Sequence, residues 1–398
     1  MELKEGYKNT EVGVIPNDWT VSTISDVGKI DPENLGSKTP LDYEFKYISL
    51  EDIDRGKILG HSQIKFAEAP SRARRVLRQN DVVFGTVRPN LQSHFFVSNE
   101  GSDLICSTGF AVIRPNLETH SASLIFHILF SGNIERQLNA ILVGSNYPAV
   151  NSKDVKALKI PLPTSLKEQQ TIATALSDID TLIANLDKLI AKKKAIKQGA
   201  MQQLLKAPDK GGKRLPEFEG EWVETTIGQI ARISTGSKNT QDRVEDGKYP
   251  FFVRSQIVER INTYSFEGEG ILTAGDGVGT GKVFHYVNER IDIHQRVYLI
   301  SDFKPSIDGY FLFLIFKENF YDRIMSMTAK SSVDSVRKEM ITGMSISVPP
   351  TKEEQQEIAS ILLDMNTEIE KIESKKSKYL RITQRMMQKL LTGKTRLI

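Results

Sequence analysis

The hydrophobic positions between Leu166 and Lys206 fall on one stripe. Ile172, Leu176, Ile179, Ile183, Leu186 and Ile190 are spaced 4, 3, 4, 3, 4. The spacing returns 186 positions later at Ile358, Leu362, Met365, Ile369 and Ile372, and the stripe runs on through Tyr379, Met386 and Leu390. A sustained 3.5-residue period predicts a long helix that pairs with another helix along its seam, rather than one sunk in a globular core. About 40 residues at 1.5 Å each make a helix of roughly 60 Å, and each copy is the obvious partner of the other. The likeness extends beyond the stripe: Gln169-Gln170 match Gln355-Gln356, Asp178 matches Asp364, and Leu204-Leu205 match Leu390-Leu391. IPLPTSLKEQQ and SVPPTKEEQQ lead into the two helices, with Thr164 and Thr351 as the expected caps. Of these, Thr351 with Glu354 fits a capping box.

The stretches before the helices also begin alike. Ile15-Pro16 precedes Trp19 and Leu215-Pro216 precedes Trp222, the two tryptophans of the chain, and WTVSTISDV aligns with WVETTIGQI. Strand-like runs follow in both: VVFGTV (82–87) and GFAVIR (109–114), then GILTAG (270–275), KVFHYV (282–287) and RVYLIS (296–301). Helical patterns at 121–138 and 308–325 close each stretch, and a Lys/Gly/Pro-rich linker spans 206–220. The pattern predicts a mixed α/β (α+β) protein. Two globular α/β domains over 1–158 and 211–345 alternate with helical regions over 159–210 and 346–398. The two helices pair with each other as a coiled coil, and the chain is an internal repeat of two like halves.

Composition adds limits. At 398 residues the chain is too long for one core. Its 39% hydrophobic and 26% charged content is ordinary for a soluble protein. The longest apolar runs, such as Tyr310–Phe316, are short for a membrane span, and the N-terminus MELKEGYKNTEVG is not a signal peptide, so a cytoplasmic location is expected. One cysteine, Cys106, leaves no disulfide framework or Cys-based zinc site, and the histidines lack ligand spacing, so no metal is expected. The charge is uneven. Residues 1–160 hold 18 Lys/Arg against 19 Asp/Glu, and 216–345 hold 15 against 19. The helical stretches are basic, 10 against 5 over 161–215 and 10 against 7 over 346–398. Solvated helix faces and a partner's docking surface both fit that excess.

Several short patterns imitate catalytic sites. FEGEG (266–270) spells the FxGxG of S-adenosylmethionine sites, but the run after it reads as a strand and no companion motif follows. GDGVGTGK (275–282) has a phosphate loop's glycines but not its GxxxxGK[ST] spacing, and reads as a Gly-rich hairpin. Glu44-Phe-Lys46 lacks the preceding Pro-Asp of a nuclease pattern. No catalytic residue stands out, and the chain reads as built to bind.

Basic and amide side chains cluster in both α/β stretches: Arg72, Arg74 and Arg75, then Arg88, Asn90, Gln92 and His94 in the first, with Asn146 and Tyr147 in a polar loop. The second has Lys238, Asn239, Arg254 and Gln256, with Lys282 and Lys330 as further basic candidates. Arg, Asn and Gln read base edges, while Lys and backbone amides hold phosphates. Any one of these residues is equally at home in an ordinary solvated loop.

Taken together, the repeated [KE]-E-Q-Q helix start, the Pro…Trp opening of each half, and the QQLL and QKLL helix ends resemble the specificity subunit of type I restriction–modification systems. The resemblance covers essentially the whole chain. It implies that each α/β domain is a target-recognition domain reading half of a bipartite, asymmetric DNA site. It implies that the two helices pack antiparallel about a pseudo-twofold axis and set the spacing, and that Ile398 ends near Met1. The implied partners are double-stranded DNA, two copies of a methyltransferase subunit and, in some systems, motor–nuclease subunits. S-adenosylmethionine and ATP would sit on those partners, leaving this chain without cofactor or catalysis. The slightly acidic domains imply weak DNA binding by the isolated chain, because phosphate neutralisation normally supplies much of the affinity. Two other readings are a fused restriction–methylation enzyme, which would carry methyltransferase motifs, and a coiled-coil adaptor, which has no need of two unlike heads.

Overall fold

The computed structural model describes residues 5–98, 103–142, 148–327 and 335–397. Asn146, Tyr147, Lys330 and the expected approach of Ile398 to Met1 lie outside the described residues. The chain divides into two compact units, Met1–Asp187 with Ser374–Ile398, and Lys188–Glu373, each of mixed α/β structure. Among the described residues no helix is long and apolar enough to cross a membrane.

In the first unit the strand Trp19–Thr23 pairs antiparallel with Lys159–Pro163, placing Trp19 opposite Pro163. The strand that enters the domain therefore lies beside the strand that leaves it for the helix. A one-turn helix, Ile24–Val27, follows at once, capped by Thr23 and Asp26, with Ile24 and Val27 fully buried. The unit also holds two four-stranded sheets and two short hairpins, Tyr7–Thr10 with Gly13–Pro16 and Ile53–Asp54 with Lys57–Ile58. One sheet orders Phe95–Phe96, Val82–Gly85, Phe110–Pro115 and Gly28–Ile30. The other orders Ser62–Lys65, Glu44–Ile48, Leu104–Ser107 and Ala73–Val76, with Leu104–Cys106 parallel to Lys46–Ile48. The helical pattern at 121–138 breaks into Ala122–Ile128 and Gly132–Ile141, because the Ser131 hydroxyl accepts from the Ile134 N–H and starts a new helix.

The second unit repeats the succession. Val223–Thr226 pairs with Ser345–Val348, and the one-turn helix Ile227–Ile230 follows, its Ile227 and Ile230 buried. One six-stranded sheet then orders Arg232–Thr235, Val297–Ser301, Phe266–Ala274, Phe284–Ile293, Tyr249–Phe252 and Glu259–Ile261. Again one pair is parallel, Phe251–Phe252 with Asp292–Ile293. The FEGEG stretch lies inside the strand Phe266–Ala274, with Gly270 opposite Val287, as its strand-like continuation required. The helix Gly309–Ser326 covers the sheet, its start capped by Asp308, which accepts from the Phe311 N–H at 2.8 Å.

The two long helices are Leu166–Leu204 and Lys352–Leu390, 39 residues each. Ser165, not Thr164, caps the first: its hydroxyl accepts from the Glu168 N–H at 3.4 Å, while Thr164 bonds back to the Asp18 carbonyl. Thr351 caps the second, accepting from the Glu354 N–H at 3.4 Å.

The apolar stripe divides its work, against the expectation that it avoids globular cores. Ile172 and Leu176 join a core with Trp19, Ile24 and Val27, to which Leu390 and Leu391 also belong. Ile358 and Leu362 join Ile227, Ile230, Met201 and Leu205, with Met365 packed against them. The first turns of each helix are held against its own α/β domain, so their apolar residues complete that core. Ile179, Ile183, Leu186, Ile190 and Ile369 are buried outside those cores, and Ile372 and Tyr379 are half-buried.

Polar contacts join the two helices within each unit. In the first, Asp187 takes Lys376 Nζ at 2.5 Å. In the second, Lys193 meets Glu368 at 2.7 Å, Lys194 meets Glu373 at 2.8 Å, and Lys197 donates to Asn366 at 2.7 Å. Part of the basic excess of the helical stretches is thus spent on the opposite helix. Each such exposed pair contributes little stability alone, about 0.2–1 kcal/mol.

Candidate nucleic-acid interface

The repeated E-Q-Q motif fastens each domain to its helix. Gln169 is 2% exposed; its Oε1 accepts from the Ser121 N–H at 2.9 Å, and its Nε2 donates to the carbonyls of Pro163 and Thr119 at 2.9 and 3.3 Å. Gln355 does the same in the second unit. It accepts from the Asp308 N–H at 2.8 Å and donates to the carbonyls of Ser306 and Pro349 at 3.0 and 3.1 Å. In both units one glutamine side chain ties the start of a long helix to the turn before the domain's own helix.

The preceding glutamate is paired in both units. Buried Glu168 meets Arg396, which also forks onto Asp18 at 2.9 and 2.7 Å. Hydrogen bonding to Arg396 holds the Asp18 carboxyl below the usual carboxylate range. Buried Glu354 meets Arg214 at 2.6 Å. Each arginine belongs to the segment that follows the other long helix. Tyr7 Oη donates to the Gly393 carbonyl at 2.9 Å, so the described N- and C-terminal segments meet in the first unit.

In the second unit, loops gather around a polar pocket of about 490 Å³. Asn239 follows the strand Arg232–Thr235, Arg254 follows Tyr249–Phe252, and Asp276 follows Phe266–Ala274. His294, Gln295 and Arg296 form the turn before Val297–Ser301. Asp276 accepts from Arg254 Nη1 at 2.7 Å through Oδ1, and Arg296 Nη1 lies 3.6 Å from its Oδ2. Gln295 Nε2 donates to Asn239 Oδ1. Lys238 is locked by its backbone, accepting from the Gln295 N–H at 2.8 Å. His294 is buried, which lowers its pKa, and its Nδ1 accepts from the Arg296 N–H at 2.9 Å. Of the sequence candidates, Lys238, Asn239 and Arg254 come together here. Gln256 is exposed two residues beyond Arg254, whereas Lys282 lies over the Tyr321 ring at 5.9 Å, away from the pocket lining. Sequence reasoning missed Asp276, Gln295 and Arg296, because a turn between two strands carries no spacing signal of its own.

In the first unit, backbone bonds bring Arg72 and the Arg88–Gln92 turn to one end. The Arg72 carbonyl accepts from the Thr108 N–H, and the Gly109 carbonyl accepts from the Thr86 N–H. Arg88 and Gln92 adopt left-handed φ values of 48° and 56° on either side of the turn Pro89–Leu91, with Asn90 exposed at its tip. Three candidates are placed otherwise. His94 is fully buried, stacked on Phe84 at 4.2 Å, with Nδ1 accepting from the Gly85 N–H at 3.1 Å. Burial pulls its pKa down to about 3, so it is neutral and out of reach of a ligand. Arg75 is bound to Asp31 at 2.9 Å and to Asn34 at 3.0 Å. Arg74 is half-buried over the Phe66 ring at 4.8 Å and donates to the Ala73 carbonyl. Ala73–Val76 is the edge strand of its sheet, and the two consecutive side chains, on its opposite faces, are taken up by partners of their own unit, Arg75 by Asp31 and Arg74 by the Phe66 ring.

One sequence signal was overlooked. Gly36-Ser37-Lys38 and Gly236-Ser237-Lys238 stand 200 positions apart, and each leads into a loop that lines a pocket. The pocket beside Lys38 measures about 600 Å³ and is lined also by Tyr43.

Comparison with known proteins agrees with this duplication. The family described as type I restriction modification DNA specificity domain matches residues 16–197 and again 219–379. The type I restriction enzyme MjaVIII specificity subunit of Methanocaldococcus jannaschii is 24% identical over 428 residues, which span 99% of this chain and 96% of that protein. A solved type I restriction–modification S subunit from M. genitalium has a TM-score of 0.64 over 98% of both chains at 15% identity. A chain from a study of complex assembly and conformational transition of the type I R-M system has a TM-score of 0.60, covering 96% of this chain at 24% identity. At these identities the solved structures speak to the fold alone. The two family matches together cover well over half of the sequence, and the chain therefore belongs to the type I restriction–modification DNA specificity family.

Proposed function

We propose that this chain is the DNA sequence-specificity subunit of a type I restriction–modification complex. Two target-recognition domains, over 1–158 and 211–345, each read one half of a bipartite, asymmetric DNA target. The helical regions over 159–210 and 346–398 pair antiparallel as a coiled coil, set the spacer between the half-sites and dock methyltransferase subunits. The chain is non-catalytic; methyl transfer and any ATP-driven cleavage belong to partner subunits that hold S-adenosylmethionine and ATP. The observation that carries the reading is that one DNA-specificity domain occurs twice in one chain, with unlike loops on a like frame. Like frames explain the shared glutamine and arginine fastenings. Unlike loops, Arg88–Gln92 in one unit and Asn239 with Arg254 in the other, support two different half-sites. The antiparallel pairing is supported within the second unit, where Lys193 and Lys194 meet Glu368 and Glu373 while Lys197, further along its helix, meets the earlier Asn366.

Methylation mapping of a host carrying this chain with its methyltransferase subunit tests the reading. The expected result is a target in two unlike parts around a spacer of fixed length. Replacing residues 216–345 by the second domain of another family member should change one part only. A single continuous motif, or a change in both parts on exchange, overturns it.

A further inference from the structure

In the second unit one carboxylate lies between two arginines at the mouth of a polar pocket. The Asp276 side chain is 22% exposed, Arg254 45% and Arg296 65%, so all three reach solvent. Arg254 bonds Asp276 at 2.7 Å through a single guanidinium nitrogen, Nη1.

The placement is built. The stretch 275–283 between the strands Phe266–Ala274 and Phe284–Ile293 is the glycine-rich run that imitates a phosphate loop. Gly277 and Gly281 hold φ values of +82° and +68°, open to glycine at little cost. A Cβ on Gly279 would come within 2.8 Å of the Arg254 carbonyl oxygen. The glycines therefore let this turn close over the backbone of Arg254 and bring Asp276 to its guanidinium. From the other side His285 Nε2 lies 3.2 Å from the Ser255 carbonyl oxygen, pinning the loop that carries Arg254. A pair held in this way loses little freedom on meeting a ligand.

The chemistry selects among nucleic-acid groups. Two arginines alone would suit a phosphate, but a phosphate seated on Arg254 would face the Asp276 carboxylate at close range, and the two anions repel. The major-groove edge of a G·C pair has no such conflict. Guanine offers two acceptors, O6 and N7, and cytosine offers the N4 amino donor. An arginine donates twice and a carboxylate accepts, so the pair matches that edge in order. We propose that Arg254 and Asp276 together read one G·C base pair of the half-site taken by the second unit. Arg254 donates to guanine, and Asp276 both aligns Arg254 and accepts from cytosine. This rests on the function proposed above.

The test uses the complex assembled with its methyltransferase subunits and duplexes carrying its mapped target. Each base pair is replaced in turn, in the half-site that follows residues 216–345 on domain exchange. For the unsubstituted chain, replacing one G·C pair should weaken binding roughly 10- to 100-fold. Arg254→Ala and Asp276→Asn should each abolish the penalty at that pair and keep the penalties in the other half-site. Arg254→Lys, which keeps the charge but not the two-pronged donor, should also lose most of it. Variants that bind every duplex more weakly by one factor, with a shallower salt dependence, would make Arg254 a phosphate contact and overturn the assignment. Loss of all binding in every variant would make the pair structural and overturn it too. A complex whose target has no two parts overturns the reading beneath. A two-part target whose penalties survive Arg254→Ala overturns this assignment alone.

Discussion

Arg396 donates to both carboxylate oxygens of Glu168, at 2.6 and 2.9 Å, across 228 positions of sequence. Glu168 is 5% exposed, so its charge depends on that partner. Arg396→Ala leaves the carboxylate buried and uncompensated, a loss of about 3 kcal/mol when one member of a buried pair is removed. The effect should be local. Hydrogen exchange over 166–172 should rise, while 352–358, where Arg214 holds Glu354, should keep its protection. Arg214→Ala should give the opposite pattern. Equal loosening of both helix starts by either variant would contradict separate fastenings.

Gln169 should be intolerant of a change that alters only hydrogen-bond direction. Its amide accepts from one N–H and donates to two carbonyls. Gln169→Ala strands those buried groups and should cost about 2 kcal/mol. Gln169→Glu keeps the shape and the acceptor but sets a carboxylate oxygen against the Thr119 and Pro163 carbonyls. It should unfold at a lower temperature than Gln169→Ala in calorimetry at pH 7. A glutamate variant as stable as the parent would mean that shape, not donor pattern, selects this residue.

The first unit should weaken on mild acidification. The unfolded chain protonates His94 near 6.5, whereas burial holds the folded value down to about 3. The unfolded state therefore takes up a proton that the folded state refuses. Stability is fully present above 6.5 and falls by about 1.4 kcal/mol per pH unit between there and the folded value. His127, also pulled down by burial to about 4, adds to the slope, offset by Asp180 3.7 Å from its Nδ1. Denaturation of His94→Gln at pH 7 and pH 5 checks this: the variant should lose less stability than the parent over that interval. An unchanged slope would remove His94 from the account.

The order of elements was legible because its signals are periodic or repeated. The stripe through Ile172 and Ile358 set the long helices, and the Pro…Trp openings set where each α/β stretch begins. What escaped depends on contacts distant in sequence. Nothing near His94 says that Phe84 will stack on it, nor does the run Arg72–Arg75 say that Asp31 will claim Arg75. The stripe was read as a pure helix–helix seam because period alone cannot tell a partner helix from a domain packed on the same face. The pocket of the second unit was half visible. Lys238, Asn239 and Arg254 stood out by residue type, while Asp276 was hidden in a glycine run that imitated something else. The duplicated Gly-Ser-Lys was present in the sequence, and pairing it at an offset of 200 instead of 186 would have found Lys38.

If the paired helices act as the ruler of the target, their length should be readable in DNA. Four residues inserted into the middle of one long helix, with four in the facing stretch of the other, add roughly 6 Å at 1.5 Å per residue. Base pairs along B-DNA are about 3.4 Å apart, so the spacer should lengthen by about two base pairs. Both half-sites should stay as they were, because the loops around Arg88 and Arg254 are untouched. The insertion also turns the helix beyond it by about 40°, since four residues exceed one turn of 3.6. The inserted sequence must therefore continue the stripe of Ile183, Leu186 and Ile190 to keep its seam. Methylation mapping of the active variant complex reads the outcome directly. An unchanged spacer in a complex that still methylates would show that the distance between half-sites is set elsewhere.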